Sequence, residues 1–170
     1  NFETVFDRIL ECYKLPESEL ERLIAAYHDS SPTIHPYPEV ETVLSELPVR
    51  CRTAVITGGK RGEKKIQLLG LDGEFDEVYV TPQNETSKHK PKPFETVLDI
   101  LDISSKNTVF IGDNPELDFY WPNRLGMTTV WSRRRTTIFR SPQTTDARPD
   151  YVLPDLSLVP EIVNKSHQSD

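Results

Sequence analysis

Asp113 and Asp118 stand five positions apart in TVFIGDNPELDF, residues 108–119, directly after a strongly apolar run. Asp113 follows a glycine at the end of what reads as a buried strand, so its carboxylate should project into a crevice. Asp118 should lie about one helical turn further on. Two ionised carboxylates held close together repel, and the arrangement is stable when one is protonated or a cation lies beside them. Magnesium suits the second option: it takes oxygen ligands and keeps several waters, so one or two carboxylates suffice when a phosphate supplies a further oxygen. The plainer alternative makes Asp113 a helix N-cap and Asp118 a surface helix residue.

Two further stretches could serve the same chemistry. Thr57-Gly58-Gly59 follows another apolar segment and opens a helix. A hydroxyl with backbone N–H groups there makes an anion site, and glycine lets the backbone approach a phosphate closely. The alternative is an ordinary turn. The loop SKHKPKPF carries Lys88, Lys90 and Lys92, stiffened by Pro91 and Pro93 just before a helix. One of these lysines reaching a phosphate would neutralise charge and fix the substrate; the others are read as solvated.

The elements that must position these residues follow from periodicity. FETVFDRILECY, residues 2–13, puts Phe2, Val5, Phe6, Ile9, Leu10 and Tyr13 at helical spacing, and a second helix runs from Pro16 through PESELERLIAAYHDS. SPTIHPYPE, with three prolines, breaks the pattern and marks a boundary, which divides the chain into 1–35 and 36–170. Beyond it, helices alternate with short apolar strands: EVETVLSELP, RTAVIT, KRGEKKIQLLG, EVYVT, FETVLDILDI, NTVFIGD, ELDFYWPNRLG with an interruption near Pro122, TTVWS, DYVLP and SLVPEIV. That alternation implies an α/β fold with a mainly parallel sheet covered on both faces, whose ligands bind at the carboxyl ends of the strands. Thr57, Gly58, Asp113 and the loop at 81–93 all fall at those ends.

Composition narrows the function classes. The 170 residues suffice for one buried core and a small appendage, and the net charge of −7 argues against a nucleic-acid partner. Arg133, Arg134 and Arg135 are read as a solvated loop. Cys12 and Cys51 lack metal-type spacing and are expected to be reduced thiols in a cytoplasmic protein. No apolar run is long enough to span a bilayer, and the start NFETVFDRIL carries neither a signal peptide nor an initiator Met, so the chain is expected to begin in mid-sequence.

The order of these motifs, strand then Thr-Gly-Gly, Lys-x-Lys-Pro-x-Pro before a helix, and strand then Gly-Asp-x-x-x-x-Asp, resembles motifs II, III and IV of the haloacid dehalogenase-like (HAD) superfamily. The resemblance covers nearly the whole chain. It implies a Rossmannoid three-layer α/β/α core with a partial helical C1-type cap at 1–35, and a magnesium-dependent phosphatase acting on a small phosphorylated metabolite. Thr57 and the Gly58 N–H would bind phosphate, and Asp113 would hold magnesium with Asp118 supporting it. The motif III lysine would be Lys88 by helix register or Lys90 by the Lys-Pro-x-Pro string, with Lys88 preferred. Many relatives have Asn or Asp where Gly58 stands. A dehalogenase is the weaker reading, since carbon–halogen hydrolysis needs no metal.

The resemblance also exposes a gap. Motif I is an Asp-x-Asp whose first acid attacks phosphorus and whose second acts as acid and base, and no Asp-x-Asp occurs in residues 1–170. Asp7, in VFDRIL, fits a cap helix better than a strand-end nucleophile. The chain by itself is therefore expected to be inactive. Without the motif I strand, two inner strands would be left unpaired, which predicts marginal stability, self-association, or completion by a segment from another molecule. A non-catalytic binding or regulatory module of the same fold is the alternative.

Overall fold

A computed structural model describes residues 2–30, 33–58, 62–81, 90–135 and 141–166. The chain forms two compact units, Asn1–Ile34 and His35–Asp170.

In the first unit, α1 (Phe2–Tyr13) is followed by Lys14 at φ 52° and a single 3-10 turn, Glu17–Glu19, that runs into α2 (Leu20–Asp29). The helix expected from Pro16 onward thus starts with a 3-10 turn, a common form for a helix end. Phe6 and Leu10, one turn apart on α1, are buried, and Phe6 meets Tyr27 of α2 edge-on at 5.9 Å.

The second unit runs α3 (Val40–Glu46), β1 (Ala54–Gly58), α4 (Gly62–Leu68), β2 (Glu77–Thr81), α5 (Lys92–Leu101), β3 (Val109–Gly112), α6 (Pro115–Asp118), α7 (Tyr120–Leu125), β4 (Thr128–Ser132), β5 (Tyr151–Leu153) and α8 (Val159–Ser166). β1 pairs with β2, β3 with β4 and β4 with β5, all in parallel. Crossover connections, through α4 from β1 to β2 and through α6 and α7 from β3 to β4, permit parallel pairing; a tight hairpin could not. The described strands form two sheets, β1-β2 and β3-β4-β5, with β1 and β3 each at a sheet edge. The fold is α/β with parallel strands, as the alternation of helices and apolar runs predicts.

A core of Val43, Val130, Leu153, Val159, Ile162 and Val163 joins α3, β4, β5 and α8. Alternation along β4 sends Thr129 to the other face, where its hydroxyl donates to Asn123 Oδ1 of α7 at 2.8 Å. Phe94 of α5, 1% exposed, packs edge-on against Phe110 of β3 at 5.2 Å. The thiols of Cys12 and Cys51 are free.

Two expectations are corrected. The interruption expected near Pro122 falls at Phe119, between α6 and α7. Pro122 is the third residue of α7, within the first turn, where a helix does not use the N–H that proline lacks. Arg134 does not belong to a solvated loop: its side chain is 16% exposed, forms an ion pair with Glu39, and lies 3.4 Å from the centre of the Tyr37 ring. Its partners lie almost a hundred residues earlier in the chain, so only the fold could bring them together.

Glu39 also accepts from the Leu156 N–H at 3.3 Å. Burial by itself raises the Glu39 carboxyl, but the hydrogen bonds from Arg134 and the backbone, with the Arg134 charge, hold it below its ordinary value of 4.5. A carboxylate lowered by folding contributes stability above its unfolded pKa and loses it as pH falls through the folded one. Arg134→Ala is expected to cost about 1–2 kcal/mol at neutral pH. The difference from the unsubstituted protein should shrink below pH 4.5 in urea unfolding followed by circular dichroism.

Candidate active site

The chain leaves β3 through Gly112 into a tight turn that Asp118 organises. Asp118 is 1% exposed, and its Oδ2 accepts the backbone N–H groups of both Asp113 and Asn114, each at 2.8 Å. The Asp118 N–H in turn donates to the Asn114 carbonyl at 2.8 Å, which starts α6. Asp118 thus has backbone N–H groups as partners, which residue spacing alone did not suggest. A Cβ on Gly112 would stand 2.5 Å from both Cβ and Oδ2 of Asp118, so the glycine is required for this side chain to close over the turn.

Asp113 is exposed. Its carbonyl accepts the indole N–H of Trp131 at 3.0 Å, and Trp131, 2% exposed on β4, sits beside Gly112 in the strand register. The Asp113 backbone is therefore held from both sides, by Asp118 on its N–H and by Trp131 on its carbonyl, while its carboxylate stays at the surface. Trp131 went unnoticed in the sequence because nothing short of the β3–β4 pairing places it there.

Thr57 and Gly58 close β1, opposite Val80 and Thr81 of β2. The Thr57 carbonyl accepts the Thr81 hydroxyl at 3.3 Å, and Thr81 is 2% exposed. Gly62, the first residue of α4, lies against the Thr57 side chain so closely that a Cβ there would meet Thr57 Oγ1 at 2.9 Å. This close approach is a second glycine requirement the motif did not reveal. Gly58 is exposed. Lys90 is exposed and precedes α5 by two residues, with Pro91 as its N-cap; Lys88 and Gly59 lie outside the described residues.

Among the described residues, no three His, Cys, Asp or Glu side chains converge as a metal site would require. A cation here would rely on the exposed Asp113 carboxylate, with Asp118 orienting the turn. That donor set fits magnesium, for which one or two protein carboxylates plus waters and a phosphate make up the shell.

Comparison with known proteins identifies the family. The family model for haloacid dehalogenase-like hydrolases matches residues 3–132. A glyceraldehyde 3-phosphate phosphatase from Methanopyrus kandleri is 32% identical over 80% of this chain and 60% of its own length. The N-acylneuraminate-9-phosphatase of Mus musculus is 26% identical over 90% of this chain and 58% of its own. This chain thus spans about three fifths of the curated relatives it matches. Among solved structures, a HAD-superfamily hydrolase from Geobacter sulfurreducens superposes with a TM-score of 0.72 at 17% identity, over 95% of this chain and 72% of the other. A HAD phosphatase from Thermococcus onnurineus gives a TM-score of 0.64 at 24% identity, over 92% and 69%. With a family model matched over residues 3–132 and parallel strands in an α/β arrangement, the chain belongs to the haloacid dehalogenase-like hydrolase family.

Proposed function

We propose that this chain forms most of the core of a magnesium-dependent phosphatase for a small phosphorylated metabolite. The observation that carries the reading is the Asp113 turn: a surface carboxylate at a strand end whose backbone is fixed by Asp118 and Trp131. The phosphatase names of curated relatives support the same class.

Each residue has a distinct part. Thr57, with the Gly58 N–H, donates to the oxygens of the phosphoryl group. Lys88, with Lys90 as the alternative, screens its charge. Asp113 supplies the carboxylate that holds magnesium, and Asp118 acts through the turn. Bound magnesium supplies charge neutralisation at the transferring phosphoryl group. The attacking carboxylate, which would form an aspartyl-phosphate, is not among residues 1–170, since these contain no Asp-x-Asp.

Purified 170-residue protein is therefore expected to hydrolyse p-nitrophenyl phosphate no faster than buffer, with or without magnesium. Ordinary enzymatic turnover, on the order of 1 per second or more, would refute the assignment of roles. The missing Asp-x-Asp also favours a second reading, a binding or regulatory module that retains the anion site. Titration of the chain with orthophosphate in magnesium buffer, compared with Thr57→Val, tests for that site without requiring turnover.

A further inference from the structure

Within the basic run 133–135, Arg134 pairs with Glu39, whereas Arg133 lies over Trp131, its guanidinium carbon 5.0 Å from the centre of the ring. That indole is the one whose N–H holds the Asp113 carbonyl. The Arg133 backbone is fixed too: its N–H donates to the Leu153 carbonyl at 2.8 Å, just past the last β4–β5 pair, Ser132 with Leu153. Gly112 is paired with Trp131, so Arg133 stands at the carboxyl end of β4, one strand over from the Asp113 turn. Neighbouring strands are about 4.8 Å apart.

Stacking occupies a face of the guanidinium and leaves its N–H donors, which lie in the plane, at the rim. Arg133 is exposed, and among the described residues no carboxylate pairs with it, in contrast to Arg52, Arg124 and Arg134. A cleft lies between β1, lined by Val55 and Ile56, and β3, lined by Phe110 and Ile111, while β4 adjoins β3 on its other edge. Thr57 at the end of β1 and Arg133 at the end of β4 therefore stand on opposite sides of Asp113.

We propose that Arg133 determines specificity by holding a carboxylate of the substrate, so that the phosphorylated metabolite is a short organic acid. This deepens the phosphatase reading and rests on it, because that reading supplies the phosphate site. Two N–H groups in one plane match the two oxygens of a carboxylate. With the phosphoryl group between Thr57 and Asp113, the carboxylate has about one strand spacing to cross, which about two or three carbons span. A second phosphate, with a charge of about −1.5 to −2, would exceed what a single guanidinium balances.

The test compares 2-phospholactate with isopropyl phosphate, which has the same skeleton with a methyl group in place of the carboxylate. Calorimetry on the 170-residue chain in magnesium buffer should show 2-phospholactate bound more tightly by about fivefold or more. In Arg133→Gln that preference should fall below about twofold, while Arg135→Gln, which removes an equal charge from an exposed neighbour, should retain it. If Arg133→Gln does not fold, tryptophan emission of the unsubstituted chain decides. A carboxylate on the guanidinium stacked over Trp131 should shift the emission with 2-phospholactate and not with isopropyl phosphate. Equal binding of the two esters, or a preference lost equally in Arg135→Gln, would overturn the proposal and leave the phosphatase reading standing. If neither ester binds, the phosphate site itself is refuted and both readings fall.

Discussion

Asp118→Ala is expected to lower the stability of the second unit by about 2–4 kcal/mol, because it leaves two backbone donors beside a buried site without their acceptor. Both N–H groups, of Asp113 and Asn114, lie 2.8 Å from a single oxygen of a side chain that is 1% exposed. Asp118→Asn retains one acceptor oxygen and most of the volume, so it should cost less, about 1–2 kcal/mol. Asp113→Asn changes an exposed carboxylate and should leave stability within about 0.5 kcal/mol. Urea unfolding of the three variants, with hydrogen exchange at Asp113 and Asn114, distinguishes a turn-organising Asp118 from a residue that acts only on a metal. If Asp113→Asn destabilised as much as Asp118→Ala, the organising role would be wrong.

Phe119→Ala should be more damaging, at about 3–5 kcal/mol. Phe119 is fully buried, 0% exposed, at the junction where α6 ends and α7 begins. Its carbonyl accepts the Asn123 N–H at 3.0 Å, and Asn123 in turn donates through Nδ2 to the carbonyls of Asp146 and Arg148 at 2.7 and 2.8 Å. A fully buried ring thus sits where the segment after the Asp113 turn begins. Removing it leaves a cavity at the α6–α7 junction. Phe119→Leu, which retains much of the volume, should recover more than half of the loss. Thermal unfolding of both variants checks this; a melting temperature for Phe119→Ala within about 2 °C of the unsubstituted protein would contradict it.

The two effects should not add. Phe119 and Asp118 are adjacent and share one turn, so the double variant is expected to lose less than the sum.

Local pattern in the sequence determined most of the elements and suggested where a site would lie. Helical spacing placed α1, α3, α5 and α8, and the apolar runs placed β1 to β5, because both signals arise within a few residues and need no distant partner. Thr57, Gly58 and Asp113 could be singled out as candidates for a related reason: in an α/β sheet the carboxyl ends of the strands are where ligands bind. The tertiary structure alone decided what those residues rest on. Asp118 turned out to bind the backbone of the turn; Trp131 reached Asp113 through the β3–β4 pairing; Gly62 met Thr57; and Arg134 left its basic run for Glu39 and Tyr37. The Trp131 and Arg134 contacts join residues far apart in the chain, so no local signal could specify them. Asp118 and Gly62 are close in sequence to their partners, but their roles depend on a backbone path through the turn, and residue spacing does not set that path.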